Sequence, residues 1–416
     1  MSNEWERARL GDLVETQKGY AFKSSWYCDA GRPIVKVSDF TEDSVDPSSL
    51  VCIPEKTAGE HRKYELKAGD VVVQTVGSWP TNPASVVGKC VRIPEAATAA
   101  LLNQNAVKLA PSKVLDQRFL FYLLRNKDFK TYIVGTAQGA ASQAAITLDA
   151  IRAYEFDLPP VSTQRRLTDI LSAYDDLIEN NQRRIKILEE MARSLYREWF
   201  VHFRFPGHDK VKMVSSPLGP IPQGWEVKRA PECLDINPRV LVLRDGDKPF
   251  VPMSCLANNS MLISGIEFRD GNSGAKFQNG DTLFARITPC LENGKTGFVQ
   301  FLPDEKAIAC GSTEFIVLRS RTLTPEFVYL LARSDEFRRV AIKSMTGATG
   351  RQRVQEQCFN QFQIAQPPST LLERFSAIVA PNFRLIYKLH LQTLNLRRTR
   401  DLLLPRLLSG QIPLSC

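Results

Sequence analysis

The sequence lacks the features of a membrane protein or a disulfide-stabilised protein. No apolar run reaches the roughly 18 residues that a membrane span needs. The first residues, MSNEWERARLGDL, contain no apolar signal-peptide core. The nine cysteines include no CxxC pair, which argues against structural zinc and against a disulfide framework. These absences predict a cytoplasmic protein from a reducing compartment, with no membrane partner.

The sequence also lacks recognisable catalytic motifs. A phosphate-binding loop is missing, because Gly294-Lys295-Thr296 has no upstream glycine at the required spacing. No Asp/Asn-Pro-Pro-aromatic tetrapeptide of an amino-methyltransferase occurs. The adjacent acids of Pro303-Asp304-Glu305-Lys306 cannot converge on one metal ion from a turn. The histidines are few and dispersed, at His61, His202, His208 and His390. We therefore expect no catalytic residue, no metal and no cofactor in this chain.

Two long amphipathic helices are predicted, over residues 159–206 and within 367–416, each opening with Pro-Pro. Apolar residues of the first recur at alternating steps of four and three, which is a heptad seam that needs a partner helix. This seam comprises Leu167, Leu171, Tyr174, Ile178, Asn181, Ile185, Leu188, Ala192, Leu195 and Trp199. Adding 208 to each of these residue numbers gives the seam of the second helix: Phe375, Val379, Asn382, Ile386, Leu389, Thr393, Leu396, Arg400, Leu403 and Leu407. Pro381 is expected to interrupt the second helix.

The regions before the two helices also resemble each other, so the chain is predicted to be a duplication. Trp5-Glu6 recurs as Trp225-Glu226, and FLFYLL at 119–124 recurs as EFVYLL at 326–331. Gly139 recurs as Gly347, upstream of each Pro-Pro. The predicted divisions are a first domain at 1–158, its helix at 159–206, a linker at 207–223, a second domain at 224–366, and the second helix with the tail at 367–416.

An antiparallel arrangement of the helices is predicted, because a slack linker then suffices between the first helix and the second domain. Pseudo-twofold symmetry between the two helices then fixes the register, so that the residue numbers of two facing positions sum to 574. This register sets Leu188 against Ile386, Trp199 against Phe375, Asn181 against Thr393, and Tyr174 against Arg400. Asn181 and Thr393 are expected to hydrogen-bond, and Arg400 to stack on Tyr174.

The net charge of +9 suggests an acidic partner such as nucleic acid. The excess is uneven: residues 367–416 hold seven Lys and Arg against two Asp and Glu, whereas residues 1–158 hold 19 of each. Charge alone therefore leaves open an ordinary protein with a basic tail. If the first domain binds DNA, its positive charge must be gathered on one face.

A duplicated chain of this plan resembles the DNA-sequence-specificity subunit of type I restriction-modification systems. The resemblance is carried by LPPVSTQRRL and NNQRRIKILEEMARSLYREWF within 158–200, IPQGWEVKRA at 221–230, and LLLPRLLSGQI at 402–412. It implies two target recognition domains that each recognise half of a bipartite double-stranded DNA site. It also implies two docked DNA methyltransferase subunits and, for restriction, motor-nuclease subunits. S-adenosylmethionine and the adenine-methylating residues would belong to the partners, in a prokaryotic cytoplasm.

Candidate DNA contacts are polar, basic or aromatic residues in turns and at strand ends, because base edges are recognised by such side chains. In the first domain these are Lys18, Tyr20, Lys23, Lys36, Ser38, Gln74, Thr75, Ser78, Trp79, Ser142 and Gln143. In the second they are Arg286, Thr288, Asn293, Lys295, Thr349, Arg351, Gln352 and Arg353. The GATGRQR turn at 347–353 is the strongest candidate, with a solvated basic turn as its alternative.

The predicted fold class is thus α+β, with two mixed recognition domains separated by two long antiparallel coiled-coil helices. The 33-residue seams correspond to about 48 Å of helix, or roughly 14 base pairs, which predicts half-sites about one DNA turn apart. Two alternatives stay open: a scaffold whose domains bind proteins, and an enzyme whose site is unrecognised. Sequence preference at raised salt would exclude the scaffold, and activity of the purified chain would support the enzyme.

Overall fold

A computed structural model describes residues 5–80, 85–140, 143–242, 245–348 and 350–412. The chain divides into two compact units. Unit 1 is Met1–Leu177 with Leu396–Cys416, and unit 2 is Ile178–Asn395. The division falls inside both long helices, and the domain boundaries given above stay predictions. No helix among the described residues is long and apolar enough to cross a membrane.

Unit 1 is built around an antiparallel sheet whose central strand is buried throughout. Its order is Val14–Lys18, Ala106–Pro111, Val71–Gln74 and Cys90–Arg92. A second sheet has the order Cys52–Ile53, Arg32–Val35 and Leu101–Leu102. Two-stranded pairs join Glu6–Arg9 with Glu155–Leu158 and Val76–Gly77 with Ala144–Ala145. The run Val71-Val72-Val73 explains why this segment forms the central strand, since β-branched residues favour strands and all three side chains are buried.

Short helices cover these sheets. The α-helices of unit 1 before the first long helix are Leu10–Leu13, Glu55–Gly59, Gln117–Arg125, Lys127–Gly135 and Leu148–Arg152. The 3-10 turns are Ser24–Trp26, Val37–Asp39, Pro47–Ser49, Arg62–Tyr64 and Glu95–Ala97. Asp116 caps the helix Gln117–Arg125, because its carboxylate accepts hydrogen bonds from the N–H groups of Arg118 and Phe119 at 2.9 and 3.2 Å.

Unit 2 repeats this plan. Its first four-stranded sheet has the order Leu234–Ile236, Phe315–Ser320, Thr282–Ala285 and Thr296–Phe298. Its second four-stranded sheet has the order Glu267–Asp270, Asp247–Val251, Ala309–Gly311 and Ala275–Phe277. Two-stranded pairs join Glu226–Arg229 with Gln363–Gln366 and Met213–Val214 with Ile221–Pro222. Its short helices are Ala230–Cys233, Pro325–Arg333 and Asp335–Lys343, with 3-10 turns at His208–Lys210, Met253–Cys255 and Glu356–Gln361. The recurring sheet order and helix pair agree with the predicted duplication.

The two long helices are Val161–Tyr196 and Ser369–Leu408. A π-helical turn, Arg197–Val201, follows the first. The expected interruption at Pro381 is wrong, since the second helix, 40 residues long in all, continues through this residue. Pro381 is exposed, so its ring extends into solvent, and packing of the helix on both sides offsets the missing backbone hydrogen bond.

The helices run antiparallel within unit 2. Asn181 Nδ2 donates to Gln392 Oε1 at 3.2 Å, and the ring centroids of Trp199 and Phe375 lie 5.9 Å apart. Along the line of contacts, residue numbers therefore rise on one helix and fall on the other. The residue numbers of the two contacting pairs sum to 573 and 574. The predicted Asn181–Thr393 hydrogen bond is wrong, because the Thr393 hydroxyl donates to the Leu389 carbonyl of its own helix at 2.8 Å.

The seam residues are largely buried in both units. In unit 2 they include Ile178, Ile185, Val379, Ile386 and Leu389, with Leu188 and Leu195 half-buried. In unit 1, Leu167, Leu171 and Leu407 join one core cluster, with Leu403 partly buried against it and Leu396 half-buried. The predicted stacking of Arg400 on Tyr174 is wrong: its guanidinium donates to the neighbouring Asp175 at 2.5 Å.

Oxidation of cysteines introduced at Leu188 and Ile386 is expected to cross-link the two helices. The contacts on either side, Asn181–Gln392 and Trp199–Phe375, bring these two positions face to face. Cysteines at Leu188 and Val379 are the control, since Val379 lies about 10 Å further along the second helix. Peptide mapping identifies the link, and cross-linking of the control pair instead would contradict this register.

Candidate nucleic-acid interface

In unit 1, the strand pairing joins two loops that the sequence separates by more than 60 residues. Val76–Gly77 pairs with Ala144–Ala145, directly after the buried central strand. The Trp79 indole N–H donates to the Ala140 carbonyl at 3.0 Å. Three of the predicted contacts, Ser78, Trp79 and Gln143, therefore belong to one structural feature. Ser142 lies outside the described residues.

The turn at Gly139 requires glycine. Its φ is +153°, and a Cβ atom there would lie 2.1 Å from the Gln143 carbonyl oxygen. Gly347 of unit 2 has a φ of +127°, and its Cβ would lie 3.1 Å from the Arg351 carbonyl. Both glycines therefore let a loop fold closely onto the backbone that carries the candidate contacts.

A depression of about 430 Å³ adjoins the two loops of unit 1. Its lining combines small apolar groups with amide and hydroxyl groups: Val37, Val76, Gly77, Ser78, Ser85, Asn105 and Gln143. Such amides and hydroxyls match the donors and acceptors of base edges. Asn105 and Ser85 were missed from the sequence, and the positive φ of Asn105, +70°, is not apparent in the sequence alone.

Two predicted contacts in unit 1 are corrected. Gln74 is fully buried, and its amide nitrogen donates to the Val76 and Ser85 carbonyls at 2.9 and 3.2 Å. Thr75 is also buried. Both continue the buried central strand, so neither side chain is available to a ligand. We reassign them as residues that support the loops beside the depression.

Most of the predicted basic and aromatic contacts of unit 1 lie close to aromatic rings. Lys18 and Lys23 are exposed, and Lys23 Nζ lies 5.5 Å from the Trp26 ring centroid. Lys36 Nζ lies 5.6 Å from the Tyr27 ring, and the Ser38 hydroxyl donates to Asp39 at 3.1 Å. The half-buried ring of Tyr20 contacts two further rings of the cluster, at 4.4 Å for His61 and 5.3 Å for Tyr64.

Unit 2 joins the corresponding loops. The Thr288 N–H donates to the Gln352 carbonyl, and the Gln352 N–H donates to the Thr288 hydroxyl, both at 3.0 Å. Isolated bridges link Arg353 to Ile287 and Thr346. The loop after the buried strand and the glycine turn are therefore adjacent, as in unit 1. Thr349 lies outside the described residues.

Several predicted cations of unit 2 are already bound within the chain. Arg286 donates to Glu356 at 2.9 Å, and Lys295 donates to the Met253 carbonyl at 3.1 Å. Arg353 forms a two-pronged pair with Glu314, whose hydrogen bonds and charge raise the pKa of Arg353. By contrast, Arg351 and Asn293 are exposed, and Gln352 is half-exposed and bonded through its backbone. Arg351 and Gln352 are thus the side chains of this turn best placed for a ligand.

In unit 1, the segment from Val37, which lines the depression, to Asp43 is held by a buried network of charged residues. Asp43 and Asp175 both accept from Arg400, at 3.2 and 2.5 Å, and Arg400 is only 1% exposed. The Tyr122 hydroxyl also donates to Asp175 at 2.5 Å. Burial opposes the charge of Arg400, but the carboxylates outweigh it and raise the pKa of Arg400. Burial and the neighbouring Asp175 raise the pKa of Tyr122.

Unit 2 holds the corresponding loop by different chemistry. The buried Glu189 of the first long helix accepts from the Ser260 hydroxyl and the Met261 N–H, each at 2.7 Å. Arg193 donates to the Asn259 carbonyl at 3.1 Å. In both units, an inner strand of the second sheet (Arg32–Val35 or Asp247–Val251) is followed by a 3-10 turn and then by a loop. In both units that loop is therefore tied to a long helix.

No group of three or more His, Cys, Asp or Glu residues that could hold a metal ion occurs in the described part of the chain. The interface described above instead consists of neutral hydrogen-bonding groups, aromatic rings and cations. This combination can bind a polyanion with exposed base edges by direct contact.

Comparison with known proteins identifies a domain in the first part of the chain. The model of the type I restriction modification DNA specificity domain matches residues 2–190. The chain carries a type I DNA specificity domain. The sequence-based resemblance to specificity subunits is thereby confirmed. The matched range includes the unit 1 loops and the depression, whereas the duplicated loops of unit 2 lie beyond it.

Relatives of the specificity domain agree with this assignment. The specificity subunit of the type I restriction enzyme MjaIX from Methanocaldococcus jannaschii is 25% identical over 324 residues, covering 74% of this chain and 72% of that protein. The EcoEI specificity subunit from Escherichia coli is 32% identical over 157 residues, covering 36% of this chain and 26% of that protein. The crystal structure of a type I S subunit from M. genitalium shares the fold, with a TM-score of 0.53, 13% identity and coverage of 100% and 98%.

Proposed function

We propose that this chain is the non-catalytic DNA-recognition subunit of a type I restriction-modification complex. Each unit would recognise one half of a bipartite, asymmetric site in double-stranded DNA. The observation that carries the proposal is the repeated joining of a strand-end loop to a glycine turn, at Gly77 and Gly139 in unit 1 and at Thr288 and Gly347 in unit 2. Different side chains occupy the two copies, so two different half-sites are expected.

Selection from a random duplex library by the full-length chain, alone and with its methyltransferase, tests this function. Raised salt suppresses phosphate-only binding, so surviving ligands report base recognition. We expect two short, different sequences at a fixed separation among the recovered ligands. Recovery without sequence preference, together with protein partners that bind either unit, would support the scaffold alternative.

We further propose that the long helices bind the methyltransferase subunits, which would carry S-adenosylmethionine and the catalytic residues. The support is a set of apolar side chains that the helices leave at least partly in solvent. In unit 2 these include Ile187, Met191, Ile378, Leu391 and Leu394, between 42% and 56% exposed. Arg183 and Arg184 are exposed on the first helix beside them, and no ion pair among the described residues holds either guanidinium. Motor-nuclease subunits would join this assembly for restriction.

Charge reversal at Arg183 and Arg184 is expected to impair methyltransferase assembly while leaving the chain folded. Both side chains are exposed, so their replacement by Glu changes a surface and leaves the core intact. Lys210→Glu with Lys212→Glu is the matched control, because it also reverses two exposed cations but outside the long helices. Pull-down with the methyltransferase measures assembly. Equal capture of both variants would remove this part of the proposal.

A further inference from the structure

Two cysteines of unit 1 lie directly opposite each other on neighbouring chain segments. Cys28 and Cys52 form an isolated antiparallel bridge, in which the Cys28 N–H donates to the Cys52 carbonyl at 3.0 Å. Cys52 begins the strand Cys52–Ile53, which pairs on its other side with Arg32 and Pro33. Strand pairing thus fixes the position of Cys52 and presents it to Cys28.

The geometry of this pair suits a disulfide. Opposed residues of an antiparallel pair carry their side chains on the same face, with Cα atoms about 5.5 Å apart when the pair is hydrogen-bonded. Disulfides usually join Cα atoms that are about 4.4–6.8 Å apart. The bond can therefore close with little movement of the backbone.

The two thiols are also accessible and close enough to influence each other. Both cysteines are half-exposed. Burial, and then the charge of the neighbouring Cys28, raises the pKa of the Cys52 thiol. The raised pKa leaves less of Cys52 as the thiolate that attacks an oxidant.

The other cysteines that the structure describes lack this arrangement. Cys90, Cys233, Cys255 and Cys310 are buried. Cys290 and Cys358 are half-exposed, but neither has a cysteine opposite it in the strand pairs or isolated bridges of the described residues. A specific disulfide is accordingly expected at one place in this part of the chain.

We propose that Cys28 and Cys52 form a reversible disulfide site that responds to low-mass disulfides such as oxidised glutathione. The Cys28 thiolate attacks one sulfur of the oxidant and forms a mixed disulfide, and the first thiol leaves with a proton. The Cys52 thiolate then displaces the second thiol. The protein loses two protons and two electrons as one S–S bond forms, while one disulfide is reduced to two thiols.

The bond would close the loop of residues 28–52. This loop contains Lys36 and Ser38 beside the depression, and Asp43, which binds Arg400. The disulfide would therefore hold in place the segment that joins the candidate interface to the second long helix. In a reducing compartment such an exposed bond is transient, so it would stabilise unit 1 during oxidative exposure and be reversed afterwards.

The test treats the reduced full-length chain with oxidised glutathione and maps its peptides by mass spectrometry. We expect one linked peptide pair, 28 to 52, lower in mass by two hydrogen atoms and absent after treatment with dithiothreitol. The thermal midpoint of the oxidised chain should rise by about 5 °C, because the closed loop restricts the unfolded state. Hydrogen exchange should slow in residues 36–45.

Variants show whether the pair is specific. Cys28→Ser and Cys52→Ser should each abolish the linked peptide and the rise in thermal midpoint, whereas Cys358→Ser, a half-exposed cysteine of unit 2, should retain both. A stable glutathione adduct on either cysteine of the wild-type chain, or a link from Cys28 to another cysteine, would overturn the proposal. The wild-type peptide map decides this even if a variant folds poorly. DNA binding is not measured, so the outcome is independent of the proposed function.

Discussion

Replacement of Arg400 by methionine is expected to lower the free energy of unfolding by about 3–5 kcal/mol, the cost of breaking a buried ion pair by removing one partner. Arg400 is 1% exposed, and Asp175 is 8% exposed. Without the guanidinium, Asp175 and Asp43 lose their shared cation in a poorly hydrated site. Chemical denaturation with a probe in unit 1 measures the effect.

The duplication supplies a matched control for this prediction. The offset of 208 relates Arg400 to Ala192 and Asp175 to Phe383. In unit 2, Phe383 packs against Tyr329, the counterpart of Tyr122, with ring centroids 5.5 Å apart. The same position is thus filled by apolar groups in one unit and by an ion pair in the other.

The double variant Arg400→Ala with Asp175→Phe should therefore cost less than Arg400→Met alone. It removes the charges of Arg400 and Asp175 together and leaves Asp43 beside Arg125 at 3.7 Å. It also copies a packing solution that the chain already contains, and replacement of buried pairs by apolar residues is often nearly neutral. A double variant that is no more stable than the single variant would show that the network contributes more than paired charge. Equal stability of Arg400→Met and the wild type would contradict its buried role.

The second large effect is expected at the glycine turn of unit 2. Replacing Arg351 and Gln352 with alanine should weaken recognition of one half-site, by about 1–3 kcal/mol for each side chain that forms a bidentate hydrogen bond with a base. The other half-site should be recognised as before. Arg351 is exposed and Gln352 is half-exposed, so their replacement should leave the fold intact.

Binding to duplexes mutated in either half-site measures this effect at two salt concentrations. Arg229→Ala serves as the control, since it removes an exposed arginine of the same unit that pairs with Glu232. If both half-sites weaken alike, the turn contacts phosphate or supports the fold. The logarithm of the binding constant falls linearly with the logarithm of the salt concentration. A slope that is smaller by about one in the variant would identify a phosphate contact.

The features predicted well from the sequence are those fixed by local pattern. The heptad spacing identified both long helices and, through symmetry, a register that the Trp199–Phe375 contact matches. Gly139 and Gly347 marked turns because both adopt a positive φ that favours glycine, and at Gly139 a Cβ atom would also clash with the Gln143 carbonyl. The repeated motifs pointed to the duplication because corresponding strands and helices follow the same hydrophobic pattern.

Other features depend on partners that are distant in the sequence. Arg353 resembled a free cation, but Glu314 binds it from 39 residues away. Gln74 lies at the end of a strand, where DNA contacts were predicted, yet its amide donates hydrogen bonds to neighbouring backbone carbonyls. Arg400 binds Asp175 rather than the adjacent Tyr174 because a buried guanidinium needs a counter-charge more than a ring face. Heptad spacing alone does not encode that preference.

Methylome sequencing of the host, with and without this gene, tests the central claim most directly. We predict one methylated-adenine motif with two different halves and unspecified bases between them. That motif should disappear when the gene is deleted, and restoring the gene with Arg351→Ala and Gln352→Ala should relax only one half. A methylome unchanged by the deletion, or the disappearance of a motif that is continuous or palindromic, would contradict it.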